Sequence, residues 1–234
     1  MTKLYSLGWC VSGLALLALL AACAGKPRDE QARACLTRLN LAGVHYALAT
    51  IEGATDACAV SNPVQVTAAG IPWNSPGIVD CGFALRLEAF AREDVEPAAI
   101  AQLHQPVLAI RHLGTYSCRR ENGGRHRWSQ HANGLAIDIA GFELADGTVV
   151  SVEHDWRAPG PRREFLREVV AKACTRFSVV LTPDSDRDHY NHIHLDAGPY
   201  RLCGDRSLRP ASPRTGPATP VDATIGSVGS GPTR

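Results

Sequence analysis

The sequence predicts an α+β fold, with a small antiparallel central sheet flanked by helices and stapled by disulfides. Three observations predict it. Short runs rich in β-branched and apolar residues, at 107–110, 135–140, 148–152, 179–181 and 192–196, read as strands. Residues 162–177 instead carry Phe165, Leu166, Val169, Val170, Ala173 and Phe177 at helical spacing, and nothing alternates regularly enough for a parallel βαβ sheet. Once Cys10 of the leader and Cys23 at its end, the lipidation candidate, are set aside, six cysteines remain, an even set that in an exported chain reads as three disulfides.

In order along the chain, Lys3 precedes an apolar run from Leu14 to Leu20 and the small residues Ala21-Ala22, the pattern of a signal peptide over residues 1–22. The run is shorter than the ~20 apolar residues a membrane span needs. Leu20-Ala21-Ala22-Cys23 resembles a bacterial lipobox, which makes Cys23 the lipidated mature N-terminus, each buried CH2 of its acyl chains contributing ~0.8 kcal/mol of anchoring. Ala24, rather than Asp, resembles an outer-membrane address, so the expected location is the periplasmic face of the outer membrane. Residues 23–33 are polar and read as a tether, and 34–204 as the domain.

Within the domain, 47–51 reads as a strand, and 63–66 as a short strand or sheet edge, where Pro63 is tolerated. A helix spans about 81–92, and another spans 97–104 with Pro97 in its first turn. Strand 107–110 and an extended piece at 115–119 lead to a polar loop at 120–127. Strands 135–140 and 148–152 are joined by the hairpin signal Asp146-Gly147. The helix at 162–177 and strands 179–181 and 192–196 follow. Residues 205–234, rich in Pro, Ser, Thr and Gly without apolar period, are expected to be a disordered tail. The six domain cysteines, Cys35, Cys58, Cys81, Cys118, Cys174 and Cys203, allow ~15 pairings. The one singled out is Cys174 with Cys203, which ties a helix end to the exit of the last strand. A net charge of +1 gives no field calling for nucleic acid, and none is expected as a partner.

Two stretches carry chemistry. His131 stands seven residues before Asp138, and His189, His192 and His194 fall within six residues. In an extended segment side chains at i and i+2 share a face, so His192 and His194 project together. Two imidazoles and a carboxylate on neighbouring strands make a three-ligand Zn2+ site whose fourth position is open, the mark of a catalytic rather than a structural zinc. Asp196 shares the face of His194, either orienting an imidazole or ending the strand. His45, His104, His112, His126 and His154 lack a partnered spacing and read as surface or packed residues. Asp184, Asp186 and Asp188 read as a solvated turn rather than an ion site, and Trp73, Trp128 and Trp156 as packing rather than groove.

The segments Ser117-Cys118-Arg119, 128–138 (Trp-Ser-Gln-His-Ala-Asn-Gly-Leu-Ala-Ile-Asp) and 189–196 (His-Tyr-Asn-His-Ile-His-Leu-Asp) resemble the bacterial extensin-like C-terminal domain family over roughly residues 35–203. That family is similar to the LAS group of zinc peptidases, named for lysostaphin, D-Ala-D-Ala metallopeptidases and sonic hedgehog. The resemblance implies that His131, Asp138 and His194 are the zinc ligands, that His192 is a catalytic or supporting group, and that His189 completes a run like that of penicillin-insensitive murein endopeptidases. It further implies that Ser129 supports the first ligand and that Arg119 neutralises the reacting carbonyl oxygen. Asn191 stands where the D-Ala-D-Ala enzymes keep a Glu as general base, and Gln130 where the family usually has Glu.

The function these observations imply is a lipid-anchored zinc metallopeptidase cleaving peptide cross-links of peptidoglycan, with partners limited to that substrate and the membrane. The alternatives are a non-catalytic zinc-containing wall-binding lipoprotein and a D,D-carboxypeptidase that trims stem peptides.

Overall fold

The computed structural model describes residues 28–122 and 126–204. The leader, Cys23 and the Pro/Ser/Thr/Gly-rich tail lie outside the described residues.

The chain folds as α1 (Arg28–Leu41), β1 (His45–Leu48), β2 (Pro63–Ala69), β3 (Ile71–Asp80), α2 (Cys81–Phe90), α3 (Glu96–Leu103), β4 (Val107–Gly114), β5 (Ala136–Leu144), β6 (Val149–Ser151), α4 (Val152–Asp155), α5 (Pro161–Arg176), β7 (Val179–Leu181), β8 (Ile193–Asp196) and β9 (Leu202–Cys203). The strands form one mixed sheet in the order β1-β2-β3-β4-β5-β8-β7-β9, with β6 also paired to β5. The α+β class holds, but the sheet is wider than expected and is antiparallel except at two junctions, β3 with β4 and β7 with β9.

Four elements escape the sequence reading, the short α4 and β9 and two longer ones. Helix α1 starts at Arg28, inside the stretch taken for a tether; Asp29 and Glu30 suit the positive end of its dipole, and Cys35 and Leu39 are its buried contacts. Strand β3 carries Pro72, Asn74, Ser75, Pro76 and Gly77, all turn residues, yet it pairs with β2 at both ends. Only Trp73, opposite Ile110, is in backbone register with β4, and residues 73–76 leave the β2 ladder, the Asn74 side chain and the Ser75 carbonyl bonding His112 of β4 instead. The extended piece at 115–119 forms no strand; beyond it an isolated bridge, Arg120 to Trp128, is flanked by backbone bonds from the Glu121 amide to the Arg127 carbonyl and from the Ser129 amide to the Arg119 carbonyl.

Capping sets the helix starts. The Asp80 side chain accepts the Gly82 amide at 2.8 Å, and Pro161 opens α5 where no intrahelical donor is needed. Helix α5 buries Phe165, Leu166, Val169, Val170 and Ala173, packing on α2 and α3 and onto the sheet, where Phe165 meets Phe142 edge-on at 5.1 Å. Ile137, Ile139, Ile193 and Leu195 point into this core. By the strand period of two, Asp138, His194 and Asp196 face the other side.

Three disulfides pair Cys35 with Cys81, Cys58 with Cys118, and Cys174 with Cys203, the last as expected. They tie α1 to α2, the segment before β2 to the loop after β4, and α5 to β9.

Candidate metal centre

The site is assembled by one strand pairing and one short turn. Asp138 on β5 and His194 on β8 are direct cross-strand partners, so the register alone brings carboxylate and imidazole together. His131 arrives from a 3-10 turn, Gln130–Asn133, that precedes β5. Its cap, Ser129, is buried and accepts the His131 amide, which accounts for the Ser before the first His. The turn ends at Gly134 with φ +65°, and a Cβ there would meet the Asp80 nitrogen at 2.9 Å. Only glycine therefore lets the chain reverse into β5 with His131 above Asp138.

The donor atoms converge closely. His131 Nε2 lies 3.2 Å from Asp138 Oδ1 and 3.2 Å from His194 Nδ1, and His194 Nδ1 lies 2.9 Å from Asp138 Oδ1. Among the described residues these three form the one group with metal-ligand geometry. The outer hydrogen bonds fix the tautomers. His131 Nδ1 faces the Thr115 carbonyl, which only accepts, so the hydrogen sits on Nδ1 and Nε2 presents a lone pair to the cluster. His194 Nε2 faces Asp196 Oδ2 at 3.2 Å, so Nδ1 presents the second lone pair. Asp138 supplies the third. Three acceptors facing one another at this range repel unless a cation lies between them. A tetrahedral ion with ligands at ~2.1 Å sets their separation at ~3.4 Å, close to the spacing found.

Electrostatics agree. Burial pushes the Asp138 carboxyl up, but the hydrogen bonds and charge of His131 and His194 outweigh it and hold it well below the usual carboxylate range. Burial pulls His194 down, yet Asp138 and Asp196 overcome it and lift it to about 9. Without a metal the cluster thus takes a proton, the smallest cation on offer.

The trio opens on a cleft of about 520 Å³. His192 stands on its floor with Nε2 3.6 Å from Asp138 Oδ1, while its Nδ1 meets Asn191 Oδ1 at 2.9 Å. Burial, the largest influence, draws His192 below its ordinary value despite the opposing pull of Asp138. His189 lies beside it, ring centroids 5.0 Å apart, its Nδ1 on Asp186 Oδ1 at 2.6 Å. Arg119 lines the same cleft but is turned to Asn122 Oδ1 at 3.1 Å and the Arg120 carbonyl. All the singled-out site residues of the domain therefore meet at one place, Asp196 as the group orienting His194.

The other candidates sort out plainly. Asp184 is held by Arg157 and Arg167, and Asp186 by His189 and the Asp188 amide, which explains an acidic loop as a braced turn. Trp73 and Trp156 are buried, and none of the three tryptophans lines the cleft. His112 is buried against the Ser75 carbonyl, and the remaining four lone histidines are exposed. Sequence reasoning missed Thr115, whose carbonyl orients His131, and the rim formed by Glu121, Arg127, Tyr200 and Arg201. A backbone carbonyl leaves no signature in sequence, and the rim residues sit in loops without period.

Fold and site together define a disulfide-stapled α+β domain with a three-donor candidate metal centre in an open cleft. Residues 33–204 match the family described as extensin-like protein C-terminus, and the chain belongs to that family. No curated protein and no solved structure matches the chain.

Proposed function

We propose that this domain is a zinc-dependent peptidase acting on the peptide cross-links of peptidoglycan, held at the periplasmic face of the outer membrane by a lipidated Cys23. One observation carries the reading: His131, Asp138 and His194 aim three lone pairs at one point, with both imidazole tautomers fixed from outside by Thr115 and Asp196. These three side chains would hold the ion. Bound Zn2+ would supply a Lewis acid for the scissile carbonyl and lower the pKa of a water toward ~7.

The chain's own groups have distinct tasks. Asn191 Oδ1 takes the Nδ1 hydrogen of His192, leaving Nε2 free to accept a proton in the cleft and return it to the leaving amine. Asn191 thus supports the base instead of acting as one, which fits the murein endopeptidase pattern better than the Glu of the D-Ala-D-Ala enzymes. Asp186 holds the His189 ring beside His192. Arg119, with no acidic partner among the described residues, is available to donate to a developing oxyanion. The cleft runs past the trio at both ends of β8, which supports cleavage within a peptide over trimming of its end.

Metal content of the purified full chain, with digestion of peptidoglycan in the presence and absence of chelator, tests the proposal. One equivalent of zinc and new muropeptides are expected, both lost in His131→Ala and in His194→Ala. The non-catalytic wall-binding reading, which Asn191 at the Glu position favours, predicts zinc without new muropeptides. Unchanged cleavage by either variant would sink the scheme.

A further inference from the structure

The cleft is charged in opposite senses on the two sides of the candidate metal centre. Strand β8 runs through its floor with His194 paired to Asp138 midway, so segments before and after β8 lie at opposite ends. After β8 come Tyr200 and Arg201, joined by Arg119, Glu121 and Arg127 from residues 119–122 and 126–129 of one loop. The Arg127 guanidinium lies 4.6 Å over the Tyr200 ring and holds Glu121 at 2.9 Å, docking that loop onto the post-β8 segment. Three arginines thus outnumber Glu121 and Asp196, the latter already engaged by His194 and the Gly198 amide, and neither Arg119 nor Arg201 has an acidic partner among the described residues. Before β8 stand Asp186 and Asp188; Asp186 takes the His189 ring and the Asp188 amide, while the Asp188 carboxylate is exposed with no cationic partner among the described residues. At ~3.3 Å per residue the four residues of β8 separate these ends by ~13 Å, the reach of about four extended peptide residues.

From this juxtaposition we infer that the cleft selects an extended peptide of about four residues carrying an unblocked carboxylate on one side of the scissile amide and an unblocked ammonium on the other. The carboxylate lies between Arg127 and Arg201, leaving Arg119 for the scissile carbonyl, and the ammonium by Asp186 and Asp188. This rests on the peptidase reading and adds to it the polarity of the bound strand. A substrate laid the other way would set like charges against each other at both ends.

The test measures binding apart from turnover. A cross-linked muropeptide dimer, the same dimer with its carboxylates amidated, and the same dimer with its free amines acetylated are titrated into the zinc-loaded full chain by calorimetry. Each blocked form should bind about fivefold more weakly than the intact dimer, as expected for one partly exposed charge pair. The amidation penalty should vanish in Arg201→Glu and the acetylation penalty in Asp188→Lys, while each variant keeps the other penalty. Equal binding of all three forms, penalties that persist in both variants, or no binding of the intact dimer overturns the inference. Charge-dependent binding without cleavage upholds it and removes the peptidase reading. Cleavage indifferent to both blocks does the reverse.

Discussion

Stripping the metal and raising the pH should destabilise the domain through one residue, His194. In the metal-free protein its imidazole is lifted from 6.5 to about 9, against its own burial, by Asp138 and Asp196. A group whose folded pKa lies above its unfolded one stabilises the fold fully below the unfolded value. That stability disappears as pH rises through the folded value. The window is therefore pH 6.5 to about 9, and the displacement corresponds to about 3 kcal/mol. At 2–4 °C per kcal/mol for a domain of this size, the melting temperature should fall by roughly 6–12 °C across the window. His192, whose pKa is lowered by burial, titrates below the window and does not offset the loss. In the zinc-loaded protein the ion replaces the proton, so the fall should be absent, and the stabilisation by zinc should grow with pH as proton competition fades. Calorimetric melts at pH 6.5, 7.5 and 9, with chelator and with zinc, read both limbs. A flat metal-free profile, or parallel falls with and without zinc, would refute the idea that one cation, proton or metal, holds His131, Asp138 and His194 together.

Asp196→Asn leaves a single acceptor oxygen for the two hydrogens now received from His194 Nε2 and the Gly198 amide, and zinc affinity should drop about 10–100-fold in a chelator competition. Replacing Cys58 and Cys118 with Ala should cost about 4 kcal/mol on the loop-closure scale. It should also weaken zinc binding more than loss of the Cys174–Cys203 pair, because neighbouring Ser117 and Arg119 bond the His131 carbonyl and the Ser129 amide; equal zinc affinity in the two double variants would contradict this. Gly134→Ala forces a Cβ to within 2.9 Å of the Asp80 nitrogen at positive φ, so an unfolding free energy lower by about 2 kcal/mol is expected in urea titration.

The site was more legible in the sequence than the sheet that carries it. Period-two spacing put His192, His194 and Asp196 on one face without any tertiary knowledge; the β5–β8 register puts His194 and Asp196 there, while His192 stands just before the strand, which begins at Ile193. Asp146-Gly147 marked the β5–β6 hairpin for an equally local reason, the turn between them. Strand β3 was hidden because its prolines and polar residues are tolerated only where the middle of the strand leaves the ladder, which depends on where β2 and β4 lie. Helix α1 was hidden by its polar first half; its buried contacts are few, and the Cys35–Cys81 bond to α2 supplements them.

Asp138, His194 and Asp196 stand on strands whose opposite face, Ile137, Ile139, Ile193 and Leu195, is locked in the core under α5. His131 has no such strand; the Gly134 reversal, the Thr115 carbonyl and the loop fastened by Cys58–Cys118 hold it instead. The two halves differ in what maintains them, hydrophobic packing for β5 and β8, a covalent cross-link and local hydrogen bonds for His131. Repulsion among the three lone pairs is therefore relieved most readily by movement of His131. Losing the cation should release the loop around His131 before it disturbs β5 or β8, and in chelator, as pH rises through about 9 and the proton is lost too, amide exchange should rise first at 115–122 and 126–134 and last at Ile193 and Leu195.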